Sequence, residues 1–278
     1  MSIDMLNLTT YASVDRKHLG EMGDIDEDTD RHFIYQYICK TEYGNVMWKP
    51  HKFKLETNDK IPFTKIDVNP NHFPNYNMFH AWFFGLFKEN ENVSLDSFSV
   101  SRIDLKSDVY DVPLDVVLAR LYVMGCRRDS VSIIKGSTIY IGSNPKIRIY
   151  DKQKEIMYRF KKGKQIYDQD VEMYLSGKQI TRFEIEIRNF KGTLKNVFDD
   201  PLGLVSYFDR LIFYNLEDDD KIASMGGLQR LMSRIPRKYR AEYDKYKDKE
   251  LEALVRDNFI KSLKAWLEAG DGLDGVPF

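Results

Sequence analysis

Ile180-Thr181-Arg182-Phe183-Glu184-Ile185-Glu186-Ile187-Arg188 alternates charged and large apolar side chains. Drawn as a β-strand, whose successive side chains point to opposite faces, it sets Arg182, Glu184, Glu186 and Arg188 against Phe183, Ile185 and Ile187. A strand that merely faces water usually carries Lys, Thr or Gln on its wet side. Two glutamates bracketed by arginines suit a phosphate site assisted by a metal ion, and a salt-bridged outer sheet face is the plain alternative. Two earlier segments repeat the pattern. Arg102, Asp104, Lys106 and Asp108 oppose Ile103 and Leu105, and Lys146, Arg148 and Tyr150 oppose Ile147 and Ile149. If the three strands are neighbours, one sheet face gathers Asp, Glu, Arg, Lys and Tyr, which favours a functional face over a solvated one.

Composition bounds the rest. A chain of 278 residues with 42% hydrophobic and 13% aromatic content buries a substantial core, as one large or two modest domains. Its 42 basic and 43 acidic residues give no overall polyelectrolyte character, so nucleic-acid affinity has to arise from local clustering. Cys39 and Cys126 stand far apart with no Cys-x-x-Cys or His-rich partner, against both a disulfide scaffold and a structural zinc site. No apolar run reaches membrane-spanning length, and the first residues lack the order of a secretory signal. The expected compartment is the cytoplasm of a host cell, with no membrane partner.

Along the chain, Ile3 to Thr9 reads as a first strand and the acids Asp24, Asp26, Asp28 and Asp30 as a solvated loop. That loop imitates calcium-binding spacing but lacks its turn glycine and distal glutamate. His32 to Lys65 is strand-rich, with Tyr35, Tyr37, Val46, Trp48 and Phe53 near alternate positions, and Phe79 to Lys88 is a buried aromatic helix. Val100 to Asp108 is a strand, Pro113 to Met124 an amphipathic helix capped by Gly125, and Ser132 to Ile141 and Lys146 to Tyr150 are strands joined by a turn at residues 141–145. A helix starts at Asp151, and Ile180 to Arg188 closes the set. The fold class is α+β: a mixed or antiparallel sheet with helices on one face, the charged face free for substrate, and C-terminal helices. The division expected is a sheet domain carrying the charged face over residues 1–195, which the resemblance given below makes the catalytic and DNA-binding domain, and a helical region over 196–278. The latter holds the acid run Glu217 to Asp220 and a basic cluster of Arg230, Arg234, Arg237, Lys238 and Arg240, which is either a phosphate track or a solvated helix face.

Between Tyr140 and Lys164 lies a local basic patch: Lys146, Arg148, Lys152, Lys154, Arg159, Lys161, Lys162 and Lys164 against Asp151 and Glu155. Interleaved with Tyr150, Tyr158 and Phe160, it fits a groove that holds single-stranded DNA by phosphate contacts and base stacking.

Ser101-Arg-Ile-Asp-Leu105, Thr138-Ile-Tyr-Ile-Gly-Ser143, Arg148-Ile-Tyr-Asp-Lys-Gln-Lys-Glu155 and Thr181-Arg-Phe-Glu-Ile-Glu-Ile187 resemble, in order, the motifs of rolling-circle replication initiators. The likeness is to the Rep_trans type of plasmids and integrative elements and to the gene II replication proteins of filamentous phages, and this chain's opening Ile3-Asp-Met-Leu6 also resembles the phage group. It covers residues 100 to 190 well and does not reach the C-terminal helices. The resemblance implies a relaxase-like enzyme that nicks origin DNA, single-stranded or extruded as a hairpin. A tyrosine attacks the phosphodiester and leaves a 5′-phosphotyrosine link and a 3′-hydroxyl primer. Host helicase and polymerase are the further partners it implies. Because a phenol is protonated near neutral pH, a divalent cation, Mg²⁺ or Mn²⁺, would polarise the phosphate, held by carboxylates as hard oxygen ligands. The candidate ligands are Asp104 and Glu184, then Glu186 or Glu155. Arg102, Arg148 and Arg182 would clamp phosphate or hold the carboxylates, and Lys152, Lys154, Arg159 and Lys161 would follow the DNA backbone. His18, His32, His51, His72 and His80 are dispersed and form no His-hydrophobic-His motif, which favours a carboxylate site.

The motif order makes Tyr150 the first choice of nucleophile. Tyr158 is the second: on a helix from Asp151 it shares a face with Glu155, and Tyr158-Arg-Phe-Lys161 sets a lysine near the phenol. Tyr239 and Tyr243, one helical turn apart, are the third. A DNA-binding module that does not nick and a nuclease that uses water are the rival readings.

Overall fold

A computed structural model describes residues 2–27, 37–53, 60–87, 92–126, 131–134, 138–164, 166–216, 228, 232 and 234–269. Asp28, Asp30, His32, Tyr35, the acid run at 217–220 and Arg230 lie outside the described residues, as do the side chains of His51, Phe53 and Arg237. The protein is mixed α+β with large antiparallel sheet structure and C-terminal helices. Two compact units interleave in sequence: Met1–Leu105, Ile187–Pro201 and Lys261–Phe278 form the first, and Lys106–Glu186 and Leu202–Ile260 the second. They cut the chain elsewhere than a boundary at residue 195 would, because tertiary contact groups segments far apart in sequence.

In the first unit, β1 (Ile3–Thr10), β2 (Gly23–Glu27), β3 (Tyr37–Thr41), β4 (Gly44–Phe53), β5 (Lys60–Val68) and the opening half of β6 (Ser99–Tyr110) lie in the order β2-β3-β4-β5-β1-β6. Each neighbouring pair is antiparallel. The helix α1 (Arg16–Met22) starts where the Asp15 carboxylate accepts from the amides of Lys17 and His18. α2 (Tyr76–Gly85) buries Phe79, Trp82 and Phe83. Phe73, Phe79 and Phe83 continue into Phe98 through ring contacts of 4.6–5.5 Å. The aromatic helix of the sequence is therefore core, the ordinary fate of so apolar a run.

In the second unit, the closing half of β6 is followed in order by β11 (Ile180–Arg188), β10 (Lys146–Asp151), β9 (Thr138–Ile141) and β8 (Val131–Ile134). The register of β10 and β11 puts Lys146 opposite Glu186, Arg148 opposite Glu184 and Tyr150 opposite Arg182. The apolar side is sealed: Val109, Ile147, Ile149, Phe183 and Ile185 are buried. The part of helix α8 (Lys249–Glu268) that belongs to this unit lies against the closing half of β6, where the Ser107 hydroxyl donates to Val255 O at 2.6 Å and Asn258 Nδ2 donates to Asp108 O at 2.9 Å. Facing strands thus carry their charges on one side, as the alternation predicts.

Other elements differ from expectation. The segment from Pro113 is helical only over α3 (Leu114–Arg120), and Leu121, Tyr122 and Val123 form β7 against β12 (Leu211–Phe213). Their aromatic and β-branched side chains suit a strand, and Gly125, at φ 83°, makes the turn beyond it instead of a helix cap. Asp24 and Asp26 stand on β2, not in a loop, and Lys40 pairs with Asp26 across the β2–β3 register at 3.0 Å. The C-terminal region is less helical than its charge pattern suggests. α6 (Leu194–Asp199) leads into a 3-10 stretch over Pro201–Arg210, and α7 (Arg237–Arg240) into another over Ala241–Tyr246. Among the described residues no helix is long and apolar enough to cross a membrane.

Candidate functional site

The centre of the charged face is Tyr150. Near the end of β10 its hydroxyl donates to Glu184 Oε1 at 2.5 Å, and Arg148 Nη2 pairs with Glu184 Oε2. The guanidinium of Arg148 also lies over the Tyr150 ring, 4.7 Å from its centroid. On the neighbouring strand Arg182 makes a forked pair with Asp108, Nε to Oδ1 at 2.6 Å and Nη2 to Oδ2 at 2.7 Å. Tyr150 therefore sits between two guanidiniums with a carboxylate on its hydroxyl.

Burial sets the electrostatics. Tyr150 is 4% exposed, and loss of hydration pushes its phenol well above the ordinary value, against the pull of Arg182 and Arg148. At rest it is a neutral phenol. Burial also opposes the Asp108 charge, but the charge and hydrogen bonds of Arg182, with Lys106 and Lys152 nearby, hold its carboxyl below the ordinary range. The charge of Arg148 is reinforced by Glu184.

Helices α4 (Lys152–Lys161) and α5 (Asp168–Leu175) adjoin this group. Asp151 caps α4, accepting from the Lys154 amide at 3.1 Å, so the strand turns into the helix one residue after Tyr150. Lys152, buried at the first turn, bonds Glu155 Oε2 at 2.7 Å and Asp170 Oδ1 at 2.8 Å. Arg159 bonds Asp170 Oδ2 at 2.7 Å and approaches Glu155 Oε1 at 3.7 Å, closing a ring of four alternating charges. Burial raises the Asp170 carboxyl, but the Lys152 hydrogen bond and the charges of Lys152, Arg159 and Arg182 leave it below its ordinary range.

The residues singled out by sequence thus part company in the structure. Tyr150, Arg148, Glu184 and Arg182 come together. Glu155, Lys152 and Arg159 form the charged ring instead of projecting into solvent. Arg102 and Asp104 belong to the first unit, where Arg102 holds Asp104 by two bonds of 2.7 and 2.5 Å. Glu186 stands opposite Lys146. Lys154, Lys161, Lys162 and Lys164 are exposed, beside the exposed rings of Tyr158 and Phe160. Lys164 Nζ lies 5.9 Å from the Tyr158 centroid. Tyr239 and Tyr243 do not share one α-helix: Tyr239 is exposed on α7, whereas Tyr243 packs in the following 3-10 turn against the cluster of Tyr122, Tyr214, Leu228 and Met232. Arg240 is tied to Tyr122 Oη at 2.8 Å and to Ile235 O at 3.0 Å.

Asp108 and Asp170 were not among the residues given site roles. Asp108 was legible as the fourth member of the first charged strand. Asp170 carries no local signal, since its role depends on where α5 is docked. Carboxylates suit a hard divalent cation, but each of Asp104, Glu155 and Glu184 is committed to a guanidinium or ammonium as the site stands. No three His, Cys, Asp or Glu groups stand together as a cation site among the described residues. The arrangement does not fit a preformed metal centre among the described residues. In comparisons with known proteins, no family model matches the chain and no curated protein matches it.

Proposed function

We propose that the protein is a DNA-nicking enzyme of the rolling-circle initiator kind, with Tyr150 as nucleophile. The observation that carries this reading is the Tyr150 hydroxyl donating to Glu184 between Arg148 and Arg182. A neutral phenol attacks phosphorus poorly, so it needs a base within hydrogen-bond reach and positive charge where the phosphoryl oxygens gather charge. Glu184 accepts the proton. Oη bonds to phosphorus, the bond from phosphorus to the 3′-oxygen breaks, and that oxygen takes a proton from solvent. The products are a 5′-phosphotyrosine link and a free 3′-hydroxyl. Arg148, on the open side, meets the phosphate, while Arg182, fixed by Asp108, supplies a buried positive field. The ordered motifs over residues 100 to 190 point the same way, and origin DNA is the substrate proposed.

The deciding measurement is a denaturing gel of the protein with single-stranded origin oligonucleotides in Mg²⁺, in Mn²⁺ and in EDTA. The expected result is a protein–DNA adduct whose linked peptide contains Tyr150; its persistence in EDTA would show that Glu184, Arg148 and Arg182 suffice, and its loss there that a cation arrives with the DNA. Cleavage without adduct would mean water is the nucleophile. No cleavage of any origin fragment would leave only a binding module.

The exposed lysines of α4 make a separate expectation. Replacing Lys154 and Lys161 together with Ala should lower single-strand affinity and reduce the salt slope of log K by about 1.4, at roughly 0.7 per phosphate contact. Replacing Arg159, held in the charged ring, should leave that slope nearly unchanged. Anisotropy titrations over a salt series measure both.

A further inference from the structure

The two arginines beside Tyr150 are held in different ways. Arg182 has a side chain 6% exposed and is locked by the forked Asp108 pair. Arg148 has a side chain 39% exposed, and it covers two groups far less exposed than itself: Glu184, at 12%, and Tyr150. Its guanidinium lies over the tyrosine ring, pairs with the carboxylate, and has Nη2 3.5 Å from the phenol oxygen. Of the two arginines beside the hydroxyl, Arg148 is therefore the one nearer solvent.

We infer that Arg148 is an exchangeable cover, closed on Glu184 and Tyr150 in the free protein and transferred to a DNA phosphate on binding. The exchange is chemically even-handed. Guanidinium forms the same forked, charge-assisted bonds with a phosphate as with a carboxylate, so the cation changes partner without losing its hydrogen bonds. A side chain only half-buried makes the change without unpacking the core. What the carboxylate loses is a cation, and what it keeps is the Tyr150 hydroxyl. Exposure of the nucleophile and release of its base would then be consequences of substrate arrival, and a hydroxyl covered in this way is shielded from other acceptors. The inference rests on the proposed role of Tyr150, but its test involves no cleavage and can fail or succeed independently of nicking.

The first measurement uses the protein without DNA. Acetylation by N-acetylimidazole, mapped by mass spectrometry, should be slow at Tyr150 and fast at Tyr158, which is 48% exposed. In Arg148→Met the Tyr150 rate should rise about tenfold, with Tyr158 unchanged as the internal standard of folding. If Tyr158 changes as well, Arg148→Lys takes its place, judged in the same way. Equal rates at Tyr150 and Tyr158 in the parent protein, or a Tyr150 rate unmoved by the substitution, would overturn the cover.

The second measurement is the binding of a labelled single-stranded oligonucleotide in EDTA. Glu184 and phosphate compete for one cation, so Glu184→Gln should tighten binding about tenfold, and the gain should shrink below about twofold in the Arg148→Met background. Removal of a negative charge alone would give equal gains in both backgrounds, and that additivity would overturn the exchange.

Discussion

Tyr150→Phe is expected to abolish the covalent protein–DNA adduct, a loss of at least about 10³-fold, in the range that removal of a nucleophile costs other covalent enzymes. Binding to the same oligonucleotide should remain, because the basic patch and Arg148 are untouched. The substitution removes one oxygen from a ring that is otherwise packed, so the fold persists. The hydrogen bond to Glu184 is lost at a cost of about 1–3 kcal/mol, the price of a buried acceptor left with one partner fewer. Tyr158→Phe provides the contrast. Tyr158 is exposed, and the carboxylate that shares its helical face, Glu155, is held by Lys152 and Arg159, so adduct formation should be preserved within about threefold. Adduct that persists in Tyr150→Phe and disappears in Tyr158→Phe would transfer the nucleophile to α4. Rates of adduct formation, with affinity measured separately, decide between them.

The second large effect concerns stability. Asp108→Ala removes both acceptors of a buried forked pair and leaves the Arg182 charge in a site where its side chain is 6% exposed. Breaking a buried pair from one side costs about 3–5 kcal/mol, which should lower the melting temperature on the order of 10 °C. The double substitution Asp108→Leu with Arg182→Met should recover much of the loss, since neither charge is then stranded. Thermal or urea unfolding reads all three variants.

The same pair sets a pH dependence with a definite sign. Asp108 and Asp170 are both held below the ordinary carboxyl range in the folded protein. A group whose folded value is depressed contributes stability that is complete above its unfolded value, about 3.9, and lost as pH falls through the folded value. Stability should therefore be level above about pH 5 and decline as the pH falls below about 4. Asp108→Asn should flatten that decline. An acid limb of the same slope in the variant would show that Asp108 does not govern it.

Much of the candidate site was legible because a strand has a period of two. Arg182, Glu184 and Arg148 had to share a face once their segments were neighbouring strands, and their apolar partners Phe183, Ile185, Ile147 and Ile149 had to be core. Tyr150 followed from the same count. Helical spacing was a weaker guide. The pattern from Pro113 continues past the true end of α3, because Leu121 keeps the helical spacing of Leu114, Val117 and Leu118, and only β12 decides for the strand. Lys152 and Arg159 looked like members of a basic surface, since a list of lysines and arginines does not record which acids meet them in space.

The sequence by itself determined the alternation that builds the charged face, the buried aromatic helix α2, and the turn from β10 into α4 that leaves Tyr150 at the strand's end. These follow from local periodicity and capping, which act between residues a few positions apart. Only the tertiary structure decided which charges meet. It brought Asp108 to Arg182, Asp170 to Lys152 and Arg159, and Arg148 over Tyr150 onto Glu184. An ion pair depends on distances of a few ångströms between side chains from different elements, and no spacing along the chain records how those elements pack.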